Sequence, residues 1–129
     1  MTLWYLDTSA ALKLILAEAE SAALIDALDA ARPELAASFL LETELRRAAH
    51  RSPDFGQAEA SAILDRVTLH EAPPALFLQA GLMPGPALRS LDAIHLATAI
   101  SIGADQVVSY DRRQVAAAGE IGLVVVSPG

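Results

Sequence analysis

The stretch Ser90-Leu91-Asp92-Ala93-Ile94-His95-Leu96-Ala97-Thr98-Ala99-Ile100 decides how this chain is read. It has the pattern of a helix that is apolar on nearly every side, and such a helix must be enclosed by other structure. Asp92 is its one acid. A carboxylate removed from water is costly unless it is paired or binds a cation, whereas the first turn of a helix favours an anion. Two readings of Asp92 follow. One is charge complementarity at a helix start capped by Ser90. The other is a functional acid. Ala93 and Ile94 exclude a Ser-x-x-Glu capping box opening at Ser90 or Leu91.

Upstream of this helix, the apolar run Leu3 to Leu6 ends in Asp7-Thr8-Ser9, a strand that stops at a helix-start signal. Residues 10–16 and 18–31 read as helices, the second from the spacing of Ala22, Ala23, Ile25, Leu28 and Ala31. Arg32-Pro33 breaks it. Residues 34–38 form a weaker strand, 39–51 and 55–66 helices, 67–71 a short strand and 73–81 a helix with proline at its start. Met83-Pro84-Gly85-Pro86 is a loop. The Asp92 helix closes at Gly103. It is followed by a strand over 106–110, a helix over 111–118 ending at Gly119, and a last strand over 123–126. Strands alternating with helices imply an α/β fold with a mostly parallel sheet covered on both faces.

The chain has 129 residues, which fits one domain over 1–129 with a single core. With 53% apolar and 19% charged residues it is globular. It has no cysteine, so no disulfide framework, thiolate metal site or thiol nucleophile, and this suits a reducing cytoplasm. The first residues lack a basic region and do not read as a signal peptide. No apolar run is long enough to span a bilayer.

The net charge of −7 argues against a protein that coats nucleic acid. It is compatible with an enzyme that gathers acids at one site and keeps arginines beside it. Arg46, Arg47 and Arg51 follow Glu44, Arg89 precedes Asp92, and Arg112 and Arg113 follow Asp111. These are either surface pairs or phosphate contacts.

A parallel sheet also predicts where the acids sit. Every strand ends at the same edge, and the helices that follow start there, where open α/β sheets place their sites. Asp7 and Asp111 each follow a strand directly. Asp92 lies in the first turn of its helix, and Glu44 lies early in the helix after residues 34–38. All four face one edge if the strands are neighbours. Taken singly, Asp7 and Asp111 read as ordinary N-caps. Glu42 competes with Glu44, but Glu42 has Arg46 at i+4, a surface pair. Glu44 shares a face with Leu41 and Ala48 and turns inward. Clustered carboxylates raise one another's pKa, and a hard divalent cation relieves this. Oxygen ligands without Cys or His select Mg²⁺ or Mn²⁺, which serve phosphoryl chemistry.

The segments Leu6-Asp7-Thr8-Ser9-Ala10, Ser38-Phe39-Leu40-Leu41-Glu42-Thr43-Glu44-Leu45, Ser90 through Ala99, and Gly103-Ala104-Asp105 with Ser109-Tyr110-Asp111 resemble the PIN domain. More narrowly, they are similar to the VapC-type toxin ribonucleases of toxin–antitoxin modules, over nearly the whole chain. The resemblance implies a three-layer α/β/α sandwich around a short parallel sheet. It implies a Mg²⁺- or Mn²⁺-dependent endoribonuclease that is usually dimeric and is held inactive by a cognate antitoxin. The family's acids carry over as Asp7, Glu44, Asp92 and Asp111, with Ser9 and Ser109 lining the site. Ser109 stands where threonine is common. His95 matches a frequent family histidine and is read as structural; His50 and His70 are read as surface residues. The proline-rich loop before the Asp92 helix departs from the family's pattern and would reshape the substrate entrance.

The competing function is a catalytically silent PIN-like module that binds a protein or RNA partner; the four intact acids argue against it. A haloacid-dehalogenase-type phosphatase would want an acid where Ser9 stands. A receiver domain would want a late lysine, and the only lysine is Lys13. Leu12, Leu14, Ile15 and Leu16 with residues 18–31 serve either core packing or a partner face.

Overall fold

The computed structural model describes residues 1–129. Its elements run β1 (Leu3–Leu6), α1 (Thr8–Ile15), α2 (Ser21–Ala31), β2 (Glu34–Ser38), α3 (Leu40–Arg51), α4 (Gln57–Leu64), β3 (Thr68–His70), α5 (Pro74–Gly81), α6 (Ser90–Ser101), β4 (Gln106–Val108), α7 (Arg112–Glu120) and β5 (Val125–Val126). The five strands form one parallel sheet in the order β3-β2-β1-β4-β5. Tyr5 on central β1 sits between Ala36 and Val107. Strands this enclosed are short and continuously apolar because helices cover both faces.

The strand order makes β1 special. From β1 the chain steps outward through β2 to β3, then returns to the other side of β1 for β4 and β5. Right-handed crossovers therefore put α1–α4 on one face and α5–α7 on the other. The main core packs Leu24, Leu41, Leu45, Ile63 and Leu64 against β1 and β2. Leu76, Ala80, Ala93 and Ala97 join α5 to α6, and Leu96, Ala117 and Ala118 join α6 to α7. This is the expected α/β/α sandwich.

α6 is enclosed as expected over Ala93 and His95–Ala99, but Leu91 and Ile100 at its ends are each 48% exposed and Asp92 is only half-buried. Ser90 is not its cap. Arg89 takes the N-cap position, and the Asp92 carboxylate accepts the Arg89 N–H at 3.3 Å. At the far end Gly103 adopts φ +69°. The Gly103 N–H donates to Ile100 O and the Ala104 N–H to Ala99 O, which is a Schellman closure. α7 runs through Gly119 to Glu120, past its expected end, because Gly119 has no need of a left-handed backbone; Gly122 supplies that turn instead, at φ +80°. The final strand shrinks to two residues.

Leu12, Leu14, Ile15 and Leu16 are half-buried and pack on the main core. Ile25 on α2 is 44% exposed, and the largest run of exposed apolar side chains lies on and just beyond α5, where Phe77, Leu78 and Leu82 are 53%, 65% and 76% exposed. No helix is long and apolar enough to cross a membrane.

Candidate active site

β1 and β4 are neighbours whose onward connections diverge to opposite faces, and a crevice opens where their C-terminal ends separate. Asp7 leaves β1 at this point. It caps α1, its Oδ1 accepting the Ala10 N–H at 2.9 Å and the Ser9 hydroxyl at 2.6 Å. Its Oδ2 accepts the Ser109 hydroxyl at 2.5 Å. β4 stops at Val108, short of the expected 110, so Asp111 follows it across Ser109 and Tyr110 and caps α7, accepting the N–H groups of Arg113 and Gln114. Asp92 enters from the first turn of α6. Glu44 enters from the second turn of α3, its Oε1 held 2.6 Å from His95 Nε2.

Asp7, Glu44, Asp92 and Asp111 line one small cleft of about 80 Å³ with Thr8, Ser9, His95 and Gln114. No Lys or Arg and no apolar side chain lines it. Glu42 points away and pairs with Arg46 at 2.8 Å, as the i+4 spacing implies. The Asp7 carboxyl is 2% exposed, and burial pushes its pKa up against the lowering effect of the hydrogen bonds from Ser109, Ser9 and Ala10. For Glu44, burial raises the pKa, but the hydrogen-bonded contact with His95 outweighs it, so the net shift is downward.

A family model for the PIN domain matches residues 4–120. The chain belongs to the PIN-domain family. It is 44% identical over 131 residues to Ribonuclease VapC35 of Mycobacterium tuberculosis, covering 97% of this chain and 96% of that protein. It is 35% identical over 126 residues to Ribonuclease VapC46 of the same species, covering 96% of each. Among solved structures it resembles M. tuberculosis VapC20, a sarcin–ricin loop cleaving toxin, with a TM-score of 0.75 at 21% identity over 97% of this chain and 99% of that one. A toxin–antitoxin complex from Klebsiella pneumoniae aligns with a TM-score of 0.73 at 23% identity, over 100% of this chain and 98% of that one. The chain is thus a PIN domain of the VapC type.

In this PIN domain Ser109 does not line the cleft. It is fully buried behind Asp7, where its hydroxyl donates to Asp7 and accepts the Asp111 N–H at 3.2 Å. The end of β4 turns that side chain into the protein, so Ser109 supports two acids and faces no ligand. Ser9 does line the cleft, and it also accepts the Tyr110 N–H at 2.9 Å, tying the end of β1 to that of β4. Sequence reasoning missed Thr8 and Gln114. Thr8 lay inside the Asp-Thr-Ser signal but read only as a helix start. Gln114 is three residues after the Asp111 cap, is 2% exposed and reaches Asp92 O at 3.4 Å. His95 is more than a satisfied core histidine, because it touches the cleft and the core together.

A hard divalent cation suits this donor set. Four carboxylates face one space with no positive side chain between them, and Thr8 Oγ1 is buried without a hydrogen-bond partner. The acids are not drawn into a ready-made cage: no three Asp, Glu or His side chains converge on one ion position. Each is held by its own partner, as expected where like charges repel. Asp7, Glu44, Asp92 and Asp111 are the residues that could hold an ion. Among the arginines flagged by the sequence, Arg113 lies 3.6 Å from Asp111, while Arg89 and Arg112 are exposed and pair with no carboxylate.

Proposed function

We propose that this PIN domain is the toxin of a toxin–antitoxin module and cleaves RNA by metal-dependent phosphodiester hydrolysis. The observation that carries the reading is the cleft at the β1/β4 switch point, lined by four carboxylates and no cation. Its support is the similarity to proteins named as VapC ribonucleases. Mg²⁺ or Mn²⁺ bound there supplies neutralisation of the phosphate and acidification of a water. Asp7, Glu44, Asp92 and Asp111 are the residues that would hold the ion, through carboxylate oxygens. Ser9 and Ser109 fix the Asp7 carboxylate, and Gln114 braces the first turn of α6. Arg89 and Arg112, exposed at the starts of α6 and α7 and in no ion pair, are the cations proposed for the flanking RNA phosphates.

An antitoxin protein is the proposed regulator, by analogy with the toxin–antitoxin complexes that share this fold. A second copy of the chain is the proposed partner for the exposed apolar side chains of α5.

The deciding experiment incubates purified, antitoxin-free protein with total RNA in Mn²⁺, Mg²⁺ or EDTA, beside an Asp7→Asn variant. Cleavage that needs metal and disappears in the variant is the expected result. Undiminished cleavage by the variant would assign the activity to a contaminant. If folded protein spares total RNA and candidate structured RNAs alike, the silent binding module becomes the better reading.

A further inference from the structure

Three of the four cleft acids are anchored by backbone N–H groups at helix starts: Asp7 by Ala10, Asp92 by Arg89, and Asp111 by Arg113 and Gln114. Glu44 is not. It lies in the second turn of α3, where the helix's own N–H groups are already used, and it is hydrogen-bonded to His95 Nε2 at 2.6 Å. It is also the longest of the four side chains, with the most rotamer freedom to lose.

Behind His95 stands Tyr5, fully buried on central β1. The Tyr5 hydroxyl lies 2.5 Å from His95 Nδ1 and accepts the Ser38 N–H at 3.1 Å. The two rings meet edge to face, their centroids 5.7 Å apart. Since the Tyr5 oxygen already accepts from Ser38, its proton is free to point at His95 Nδ1. An imidazole that accepts at Nδ1 carries its hydrogen on Nε2, the nitrogen that faces Glu44.

We propose that Tyr5 and His95 are positioning residues that hold Glu44 in the cleft. Tyr5 fixes the imidazole tautomer, and His95 Nε2–H holds the Glu44 carboxylate in one orientation. The network runs from the Ser38 backbone at the end of β2, through β1 and α6, to α3. It ties both helical layers to the sheet edge through one acid. The catalytic consequence rests on the ribonuclease reading above; the hydrogen-bond assignment does not.

Two measurements test it. In metal-free wild type labelled with ¹⁵N-histidine, the His95 ring, assigned by its loss in His95→Gln, should show a single fixed Nε2–H tautomer. An Nδ1–H tautomer, an imidazolium or an averaged signal would overturn the proposal. For activity, Tyr5→Phe keeps the ring and deletes one oxygen, so kcat should fall roughly ten- to a hundredfold with KM nearly unchanged. Glu44→Gln should fall further, and the double variant should be no worse than Glu44→Gln alone, because Tyr5 acts through Glu44. Multiplying effects would make Tyr5 merely structural and overturn the proposal. Should Tyr5→Phe not fold, His95→Gln takes its place in the same cycle. If wild type cleaves no RNA the ribonuclease reading fails, and the tautomer still decides the hydrogen-bond assignment.

Discussion

Asp7 is both a helix cap and a cleft acid, and the two roles oppose each other energetically. Capping needs only an acceptor, which asparagine supplies almost as well. A buried carboxylate in a site without a cation carries a penalty in its ionised form, and the upward shift of its pKa expresses that. With the folded pKa above the unfolded one, the folded state binds more protons, so stability falls as pH rises above the ordinary aspartate pKa of about 3.9. In EDTA, Asp7→Asn should therefore unfold at a higher temperature than wild type near neutral pH, with the gain shrinking as pH approaches 4. At this chain length each kcal/mol corresponds to roughly 3–6 °C in Tm. A variant less stable than wild type at pH 7 would show that the lost hydrogen bond from Ser109 outweighs the relieved charge. Glu44 has the opposite sign. Its pKa is lowered, so it contributes stability at neutral pH that is lost as pH falls through its folded pKa.

The elements around the site are fixed by where their helices stop. α6 must end cleanly to deliver the chain to β4, and it does so through Gly103 at φ +69°. A Cβ there meets nothing within 4 Å, so the cost of Gly103→Ala comes from backbone conformation alone. That cost is about 1 kcal/mol, expected as a loss of several degrees in Tm. The end of α2 provides the converse. Arg32, ahead of Pro33, takes φ +46°, the only positive φ outside glycine. Arg32→Gly relieves a left-handed backbone of about 1–2 kcal/mol, offset by the extra unfolded-state entropy of glycine. It should raise Tm slightly. A thermal melt of both variants tests the pair: equal effects in the same direction would contradict the backbone argument at one site or the other.

For the molecule as a whole, the charge is −7, and its cations divide between paired and unpaired. Lys13 is engaged with Glu18 and Glu20, and Arg46 with Glu42, whereas Arg89 and Arg112 are unpaired near the cleft. Some of the large apolar side chains left exposed are neighbours. Phe77, Leu78 and Leu82 lie along and just beyond α5, and Phe39 at the start of α3 adds to them across a groove that Phe77 also lines. Patches of this kind mark association surfaces. Isolated wild type should sediment as a dimer at micromolar concentration, and Phe77→Ser with Leu82→Ser should shift it to monomer with an unchanged far-UV circular dichroism spectrum and a Tm that no longer rises with protein concentration. A monomeric wild type would remove the second copy as the occupant of this face.

Much of the molecule is set locally and is legible in the chain. The alternation of strands and helices, the breaks at Arg32-Pro33 and Gly103, and the surface pairing of Glu42 with Arg46 follow from hydrophobic period, backbone sterics and i+4 spacing. So does the expectation that Asp7, Glu44, Asp92 and Asp111 face one sheet edge, which needs only parallel strands. Whether they meet depends on strand order, and no local pattern specifies that: β1 and β4 must be neighbours, with about a hundred residues of chain between Asp7 and Asp111. Three features likewise arise only when distant segments pack. Ser109 turns behind Asp7 and away from the cleft, Gln114 braces Asp92 from α7, and His95 joins Tyr5 to Glu44. A sequence shows which residues can donate or accept, but the partner each one finds is fixed by the tertiary fold, because hydrogen bonds act over a few ångströms in space and not along the chain.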